Sequence, residues 1–564
     1  AIVQGDRTVL LEVEHAGYEH ARDILARFAE LERSPEHVHT YRLSSLALWN
    51  AAAQGVTTDE VLSGLRAISR FDIPGHVEHE IVDVMSRHGQ CRLVDGSDPR
   101  TLRLEVGNDL LKARLGRDAK LAKLVAPCPG GFAVPITERG PLKRALLGLG
   151  FPVDDVAGLV DGAPLAIPIR NDVFTPYPYQ TASVRAFLAT GHGVIVLPCG
   201  AGKTVVGMLA MAELGTRTLI LTSGREAASQ WQREIRAKTS VAAESVVVYD
   251  GAKSGTMGPI TIATYSMMSK KGGAGATGYG HFDRLATEPW GLIIYDEVHL
   301  LPAPLFRLTA ELQAKRRLGL TATLVREDGR QTDVFALIGP KRYEVGWRLL
   351  ETSGHIAAAT CFEARVAMPP SMAALYDIAD KREQPRVAAA NPAKLAAMTA
   401  LVERHAGERI LVMGTYLEPL RAAAATLGAK LVTGATSHAD REMAYAQFRS
   451  GERRVLVLSR VGNFAIDLPE ASVLIQLSGT MGSRQEEAQR LGRVLRPKPG
   501  GASFYTIVSR HTCEEEHAHH RQLFLTEQGY KFFIEDMTEL AVDDRIPELG
   551  AALRPDDGED LLLN

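Results

Sequence analysis

Two series of short apolar segments, each alternating with stretches of helical periodicity, constrain the fold of this chain most strongly. The first series comprises GVIVL, TLILT, SVVVY, ITIAT, GLIIY and LGLTAT, between residues 193 and 323. The second comprises ERILVMG, KLVTG, RRVLVLS, VLIQLSG and FYTIV, between residues 408 and 508. Continuous runs rich in β-branched residues predict strands buried on both faces, and the intervening helices predict parallel connections. The sequence therefore predicts an α/β protein with two doubly wound parallel sheets.

A glycine-rich turn follows the first apolar run, in VIVLPCGAGKT at 194–204. Backbone N–H groups at such a strand-to-helix turn bind phosphates, while Lys203 neutralises them and the Thr204 hydroxyl binds Mg²⁺. The full phosphate-loop pattern opens with glycine, where this chain has Leu197. The alternative is a chance glycine-rich turn, which is disfavoured because GKT follows an apolar strand. The predicted nucleotide contacts are Pro198, Cys199, Gly200, Ala201, Gly202, Lys203 and Thr204.

A pair of carboxylates ends a second apolar run, in GLIIYDEVH at 291–299. Asp296 is predicted to hold Mg²⁺, and Glu297 to orient or deprotonate the attacking water. An acidic pair at a strand end is often merely solvated, but here the preceding IIY and the following Val298 and His299 favour the catalytic interpretation. His299 has two interpretations, a structural histidine or a residue that couples the site to the rest of the lobe.

A basic run lies far downstream, in QEEAQRLGRVLRPK at 485–498. Arg493 and Arg496 are three residues apart and would share one helix face with Arg490, from which they could reach the γ-phosphate. The alternative is a solvated basic face, as in most charge runs. The apolar neighbours of these arginines argue against full exposure, so we predict that Arg493 and Arg496 are catalytic.

These motifs together resemble a known family. With TAT at 321–323 they resemble superfamily two helicases, and longer strings resemble the XPB family, its bacterial branch in particular. The strings are IIYDEVHLLPAPLFR at 293–307, RRLGLTATLVREDGR at 316–330, LIGPKRY at 337–343 and GSRQEEAQRLGRVLRPK at 482–498, and the resemblance spans about Phe174 to Tyr530. It implies two RecA-like lobes, ATP and Mg²⁺ as cofactors, and a DNA-stimulated ATPase that drives a 3′-5′ DNA helicase or translocase in repair or transcription-linked processes.

The resemblance also assigns residues that would be ordinary loop positions if seen alone. Tyr179 and Gln180 match the element that reads adenine, which favours ATP over GTP. Arg326, Glu327 and Asp328 match an element placed where strands separate, although residue chemistry alone favours a polar turn. The remaining assignments are Gln489 and Asp467 for the nucleotide, Arg225, Thr264, Tyr265, Thr436 and Arg441 for DNA, and His299, Thr321 and Thr323 for coupling.

Composition is consistent with an intracellular enzyme of several domains. The chain has 564 residues, of which 45% are hydrophobic and 23% charged, enough for three or four cores. Its net charge of −3 places any DNA affinity in a local groove and makes it salt-sensitive. The five cysteines show neither zinc nor iron–sulfur spacing. Cys199 in the phosphate loop favours a reducing compartment, and without a signal-peptide pattern or a membrane-spanning run we expect a cytoplasmic protein.

The domain organisation follows from these patterns and from the family resemblance. We expect a largely helical N-terminal region at 1–100, with Thr57 or Thr58 as a helix cap, and a small α+β domain at 101–168 that resembles a damage-recognition domain. The first lobe is expected at 169–355, the second at 356–515 with a short thumb-like insertion near 371–391, and a C-terminal helical segment with an acidic tail at 516–564.

Two functions of different classes fit this sequence. The first is a helicase that unwinds forked duplexes and binds single-stranded DNA, with a repair nuclease or a transcription factor as candidate protein partner and no membrane. The second is an ATP-gated DNA clamp or double-strand translocase with little intrinsic unwinding.

Overall fold

The computed structural model describes residues 1–34, 37–98, 100–157, 161–249, 251, 257–269, 280–301, 312, 314–323, 331–459, 468–479, 483–495, 498 and 500–540. The chain divides into two compact units. The first is formed mainly by residues up to Val345, and the second by residues from Gly346 onward.

The N-terminal region begins with a small sheet rather than with helices. Its strands are β1 (Ile2–Val3), β2 (Thr8–Glu12), β3 (Glu30–Arg33) and β4 (Val38–Arg42), in the order β1-β2-β4-β3. The expectation of a helical region is therefore wrong for these segments. Along β4, buried His39 and Tyr41 alternate with more exposed neighbours, and this period of two outweighs helix propensity. The helices of this region are Tyr18–Leu25, Ser45–Ala53, Thr58–Ile68 and Gly75–Ser86.

The predicted cap of one of these helices is confirmed at Thr57. Its hydroxyl accepts a hydrogen bond from the backbone N–H of Glu60, and the Glu60 carboxylate accepts one in return from the backbone N–H of Thr57. This reciprocal capping box fixes where the helix Thr58–Ile68 begins.

The next sheet forms a small α+β domain. Its strands are β5 (Cys91–Asp95), β6 (Thr101–Val106), β7 (Ala126–Cys128), β8 (Gly131–Pro135) and β9 (Val153–Asp155), in the order β7-β8-β6-β5-β9. Its helices are Asp109–Gly116 and Arg139–Gly148, with 3-10 turns at Leu121–Lys123 and Ile136–Glu138. Strand β5 pairs with β6 across residue 100, the position of the predicted boundary, and the domain boundaries stay predictions.

The first of the two predicted parallel sheets is confirmed. Its strands are β10 (His192–Val196), β11 (Thr218–Thr222), β12 (Val246–Val248), β13 (Ile260–Thr264), β14 (Leu292–Asp296), β15 (Arg316–Thr321) and β16 (Lys341–Glu344), in the order β12-β13-β11-β14-β15-β10-β16. Every pairing in it is parallel. The helices are Pro178–Leu188, Lys203–Leu214, Arg225–Lys238, Tyr265–Ser269, Gly280–Ala286 and Gln331–Leu337, with 3-10 turns at Ala243–Ser245 and Val298–Leu300.

The second parallel sheet is also confirmed. Its strands are β17 (Ala359–Val366), β18 (Ile410–Met413), β19 (Lys430–Val432), β20 (Val455–Leu458), β21 (Val473–Gln476), β22 (Ala502–Ser509) and β23 (Phe532–Asp536), in the order β19-β20-β18-β21-β22-β17-β23. Its helices are Trp347–Thr352, Pro370–Ile378, Gln384–Ala389, Ala393–Arg404, Leu417–Leu427, His438–Ser450, Arg484–Val494 and Cys513–Glu527.

The secondary structure of two segments of the second unit can be compared with the sequence prediction. The predicted C-terminal helical segment contains β23, which pairs in parallel with β17, so the helical assignment is wrong there. The predicted thumb-like stretch at 371–391 forms the helices Pro370–Ile378 and Gln384–Ala389. Among the described residues, no helix combines the length and the apolar character needed to cross a membrane.

In each parallel sheet the carboxyl ends of the strands meet at one edge. Ligands of open α/β sheets bind at this edge, because the loops and helix N-termini that follow the strands converge there. The turn after β10 and the acidic end of β14 lie at this edge of the first sheet, and the helix Arg484–Val494 follows β21 in the second.

Candidate active site

The predicted phosphate loop forms a left-handed turn that enters a helix. Gly200 has φ 85° and Gly202 has φ 79°, a region that L-residues with a side chain rarely occupy. A Cβ atom on Gly202 would also lie 2.4 Å from Nε2 of Gln180. The backbone conformation therefore favours glycine at 202, and any larger residue would also displace the end of the Gln180 side chain. The helix Lys203–Leu214 starts directly after it, and its first turn provides the N–H groups and dipole that favour phosphate.

The three predicted catalytic residues of the first lobe lie together. Lys203 begins the helix and Asp296 ends β14. The Lys203 Nζ lies 3.2 Å from Oε1 of Glu297, and both side chains are largely buried. Glu297 has φ 49°, an uncommon conformation for a non-glycine residue that is typical of functional sites. The acid is thus held in a strained turn directly opposite the phosphate-loop lysine.

Electrostatics of the acidic pair favour a cation. Burial and the adjacent Glu297 carboxylate raise the pKa of Asp296 to about 6, because two neighbouring negative charges in a dry site repel each other. Thr204 is the second residue of the helix Lys203–Leu214, directly after Lys203. Carboxylate and hydroxyl oxygens are the ligands that Mg²⁺ prefers, so the donor set of Asp296 and Thr204 fits the predicted metal.

Two buried aromatic residues hold the end of β14. The Trp231 indole Nε1–H donates to Asp296 Oδ2 at 2.8 Å, and the Tyr265 hydroxyl donates to the Asp296 carbonyl oxygen at 2.8 Å. A Cβ atom on Gly207 would lie 2.4 Å from the Trp231 ring, so this glycine lets the phosphate-loop helix approach the indole. Tyr265, predicted to contact DNA, is instead buried, with 1% of its surface exposed. In this arrangement it supports the acidic strand.

Trp231 should be required for metal binding rather than for folding. Replacing Trp231 with phenylalanine keeps most of the packing but removes the hydrogen bond to a charged acceptor. We expect the Mg²⁺ concentration for half-maximal ATPase to rise by about 10-fold, in line with the strength of such bonds. Mg²⁺ titration of ATPase, together with Mn²⁺ binding to the ADP complex by electron paramagnetic resonance, measures this.

The matched control for this substitution is Trp290→Phe. Trp290 is equally buried in the same lobe, and its indole donates to the Leu285 carbonyl at 2.7 Å. This control loses an indole hydrogen bond without touching Asp296. A similar change in metal requirement in both variants would show that Trp231 acts only through the stability of the lobe.

The three predicted coupling residues are joined by hydrogen bonds. His299 Nδ1 lies 2.7 Å from Thr321 Oγ1 and 3.5 Å from Glu297 Oε2. The Thr321 hydroxyl donates to the Thr323 carbonyl at 2.6 Å and accepts from the Thr323 N–H at 3.2 Å. Since its one proton is used on Thr323, Thr321 accepts from His299, which assigns the proton of His299 to Nδ1. These contacts connect Glu297 to the carboxyl end of β15.

Of the two predicted adenine-reading residues, Gln180 lies beside the phosphate loop. Gln180 is buried, and its Oε1 accepts from the Tyr177 N–H at 2.9 Å. Its Nε2 faces the position of Gly202. The Tyr179 ring stacks on Tyr177, with centroids 5.7 Å apart. The Gln180 amide therefore caps its own helix and lies beside Gly202 of the loop, and the contact of both residues with adenine stays a prediction.

The remaining DNA positions of the first lobe follow neighbouring strands. Arg225 begins a helix after β11 and is exposed. Thr264 ends β13, and its hydroxyl lies 3.0 Å from Ser266 Oγ. Because β11 and β13 are paired, both residues lie at the carboxyl edge of the sheet. Neither contact with DNA is tested by the structure.

The DNA positions of the second lobe stabilise their own loop. Arg441 donates through Nε to the Thr436 carbonyl at 2.9 Å and through Nη2 to the Gly434 carbonyl at 2.7 Å. The Thr436 hydroxyl accepts from the Thr433 N–H at 2.9 Å. These bonds organise the loop before the helix His438–Ser450, and a DNA role for Thr436 and Arg441 stays a prediction.

Two arginines of the helix Arg484–Val494 in the second unit have different environments. Arg490 is fully buried, and its Nη1 donates to Gln476 Oε1 at 2.7 Å and to the Ser478 carbonyl at 3.0 Å. Its place on the predicted basic stripe is thus structural, and neither a solvated face nor a phosphate contact describes it. Arg493, one turn further, is only partly buried, while Gln489 is buried. Both stay predicted nucleotide contacts.

A buried carboxylate fixes this helix on the sheet. Glu487 has no exposed surface, and it accepts from Gln476 Nε2 at 3.0 Å and from the Thr506 hydroxyl at 3.2 Å. Arg521 Nε lies 3.2 Å from the same carboxylate. The helix therefore has its orientation set by a polar network that the sequence did not reveal. Outside the described residues lie Arg326, Glu327, Asp328, Asp467 and Arg496.

The fold and the site define a class of protein. A phosphate loop, an acidic strand end with its polar connection and a second parallel sheet with an arginine-bearing helix are those of a two-lobed motor ATPase. Family models match three parts of the chain. These are ERCC3/RAD25/XPB C-terminal helicase at residues 350–559, the type III restriction enzyme res subunit at 173–326, and the helicase conserved C-terminal domain at 1–126.

Full-length relatives identify the family within this class. The chain is 46% identical to a protein named DNA 3′-5′ helicase XPB from Mycobacterium tuberculosis, over 96% of this chain and 98% of the relative. It is also 46% identical to the protein of that name from Kineococcus radiotolerans, over 98% and 99%. A general transcription and DNA repair factor IIH helicase/translocase subunit XPB from Antonospora locustae is 34% identical, over 94% and 80%. The chain belongs to the XPB family of DNA helicases, as its motifs indicated.

Proposed function

We propose that this chain is an ATP-dependent 3′-5′ DNA helicase or translocase that opens duplex DNA in repair or transcription-linked processes. The observation that carries the proposal is the contact of Lys203 with Glu297, beside Asp296 and linked through His299 to Thr321. This arrangement supports a role for Lys203 as the phosphate-binding cation and for Glu297 as the base, with His299 and Thr321 as a connection to the strand end in the same lobe. The polarity and the processes are those of the family, and the relatives' names support them.

The first lobe supplies the groups for hydrolysis. Phosphates bound at the start of the helix Lys203–Leu214 would replace Glu297 as the partner of Lys203, because they carry more charge. Glu297, released from that ion pair, then accepts a proton from the water that attacks the γ-phosphorus. Mg²⁺, held by Asp296 and Thr204, would neutralise charge on the phosphates. Arg493 of the second lobe, with Arg496, would stabilise the charge that develops as the terminal phosphoryl group leaves.

The same residues offer a route from hydrolysis to DNA. His299 contacts Glu297, and Thr321 contacts His299. A change of partner at Glu297 would therefore alter the position of His299 and, through it, of Thr321. Residues at the carboxyl edges of the sheets, among them Arg225 and Arg441, are proposed to contact the DNA backbone, which positions a strand without reading its bases. We propose single-stranded and forked DNA as substrates, with a repair nuclease or transcription factor as partner and a cytoplasmic location.

Strand displacement with matched tails tests the proposal. The purified chain is given labelled duplexes with a 3′ tail or a 5′ tail, together with ATP and Mg²⁺. We expect release of the labelled strand from the 3′-tailed duplex only. DNA-stimulated ATPase without release from either duplex would instead support the ATP-gated clamp or double-strand translocase, and the absence of ATPase would contradict both.

The triplet Arg326, Glu327 and Asp328 should separate hydrolysis from unwinding. Replacing all three with alanine is expected to leave DNA-stimulated ATPase near normal and to reduce strand release severely. ATP drives closure of the lobes, which does not by itself separate the strands. Opening a base-pair step costs about 1.4 kcal/mol of stacking and needs a wedge at the fork. Both rates are measured on one forked substrate. Equal loss of both would assign the triplet to folding or coupling, and unchanged unwinding would make it a polar turn.

A further inference from the structure

A small cavity lies between the α+β domain and the first lobe, remote from the phosphate loop. Its walls come from the helix Arg139–Gly148 of the small domain, the helix Gln331–Leu337 and Arg317 of β15. Its volume is about 20 Å³. Arg317 is the second residue of β15, whereas Thr321 at the nucleotide site is the last, so the cavity lies at the opposite edge of the sheet.

Positive charge around this cavity is only partly compensated. Arg139 and Lys143 share one carboxylate, that of Asp155, at 2.7–2.9 Å and 2.8 Å respectively. The two Nη atoms of Arg317 donate to neutral backbone carbonyls, of Leu337 and Leu312. All four charged side chains are at least nine-tenths buried. Three buried cations therefore face one buried anion.

The other charged groups at the cavity do not remove this excess. Arg144 is exposed at the rim and Asp333 is half-buried, so the two roughly cancel. Burial lowers the pKa of Lys143 to about 8 despite its contact with Asp155, in keeping with incomplete compensation. Buried charge without a counter-charge is costly, and such a site favours a further anion.

Two guanidinium nitrogens supply the directional contacts. Nη1 of Arg139 and Nε of Arg317 are buried, and no acceptor for either exists among the residues that the structure describes. Both arginines are 4% exposed and both line the cavity. Buried donors in folded proteins nearly always have an acceptor. The cavity also borders Gly140, in the first turn of the helix Arg139–Gly148, where the helix dipole favours negative charge.

We infer that this cavity binds one small inorganic anion, of the size of chloride, between Arg139 of the small domain and Arg317 of the first lobe. A cavity needs roughly 10–15 Å³ to hold one water, so there is room for a monatomic ion and not for a nucleotide phosphate. Water would satisfy the two N–H groups but would leave the excess charge. The anion does both, and it links the two domains.

Bromide diffraction and thermal unfolding of the full chain test this inference. Crystals grown without halide and soaked in bromide should show an anomalous peak bonded to Arg139 Nη1 and Arg317 Nε. In constant sodium glutamate, whose anion is too large for the cavity, added chloride should raise the melting temperature saturably by about 1–2 °C through linkage. Added salt weakens DNA binding in general, whereas here added chloride is expected to raise the melting temperature of the chain.

Variants make the response specific. Ala336 lines the cavity, so Ala336→Leu should fill it and abolish both the peak and the chloride response, and Lys143→Met should reduce both. Lys120→Gln, which removes an exposed lysine of the same domain, is the matched control and should respond like the natural chain. Absence of a bromide peak in the natural chain, or an undiminished response in Lys143→Met, would overturn the inference even if Ala336→Leu fails to fold.

Discussion

Replacing Arg493 with alanine should lower the DNA-stimulated ATP turnover number by about 10³ or more, the scale of an arginine finger. ATP binding should change by no more than a few-fold, because Lys203 and the phosphate loop belong to the first lobe. The charge of Arg493 is needed only when negative charge develops on the transferred phosphoryl group. Steady-state ATPase at saturating DNA and equilibrium binding of a fluorescent ATP analogue measure the two effects separately.

Two variants of the same helix control for the fold. Arg484→Ala removes a partly exposed arginine from the first turn and should leave turnover nearly normal. Arg490→Ala removes a fully buried side chain with acceptors on Gln476 and Ser478, and should lower the melting temperature and every activity. If Arg493→Ala also lost melting temperature to the same extent, its role would be structural and the catalytic assignment would fail.

The sheets were predictable because their strands carry a local signal. The strands around Ile195 and Ile220 are buried along their whole length, and the strand around Ile294 is buried up to Asp296; such burial favours runs of apolar residues. Strand β16 (Lys341–Glu344) is only half-buried and polar, so it has no such signal. Strand β23 is largely exposed at a sheet edge. It forms because β17 offers an unpaired edge, a tertiary cause that propensity does not record.

The candidate active site also contains residues that the sequence predicted and a residue that it did not. Lys203, Asp296 and Glu297 belong to short motifs whose spacing encodes their chemistry, and the structure brings them together. Trp231 could not be found by spacing, since it reaches Asp296 across 65 positions of the chain. The packing of Trp231 against Gly207 is compatible with ordinary core packing. Only the direction of its indole N–H shows that it also holds the Asp296 carboxylate.

The arginine-rich helix shows the limit of periodicity. Residues 490 and 493 share a face at spacing three, and the spacing alone does not say which of them is buried. The structure separates them because Gln476, at the end of β21, and the Ser478 carbonyl accept from Arg490, which is fully buried, whereas Arg493 is only partly buried. Burial of a charged side chain depends on such partners, and partners from another element are absent from a local pattern.

Replacing Glu297 with glutamine should abolish ATP turnover while preserving nucleotide binding. Glutamine has the same shape but cannot accept the proton of the attacking water, so turnover should fall by about 10²–10⁴, the usual contribution of a general base. Lys203 lies 3.2 Å from this side chain, and with the ion pair gone the bound phosphates no longer compete with a carboxylate for it. We therefore expect ATP binding to be unchanged or tighter, as measured by equilibrium binding and single-turnover hydrolysis.

Lys203→Ala should have the opposite effect on ATP binding, although it removes the other partner of the same ion pair. It removes the cation that is proposed to bind phosphates and leaves two adjacent carboxylates, Asp296 and Glu297, in a site where burial already disfavours the charge of Asp296. Weak binding and lost turnover are expected together, with a lower melting temperature because the two buried carboxylates lose their counter-charge. The two variants thus distinguish ATP binding from proton transfer, because each removes one partner of the contact between Lys203 and Glu297. Near-normal single-turnover hydrolysis in Glu297→Gln would show that the water is activated elsewhere, and Glu297 would then serve only to hold Lys203 before ATP arrives.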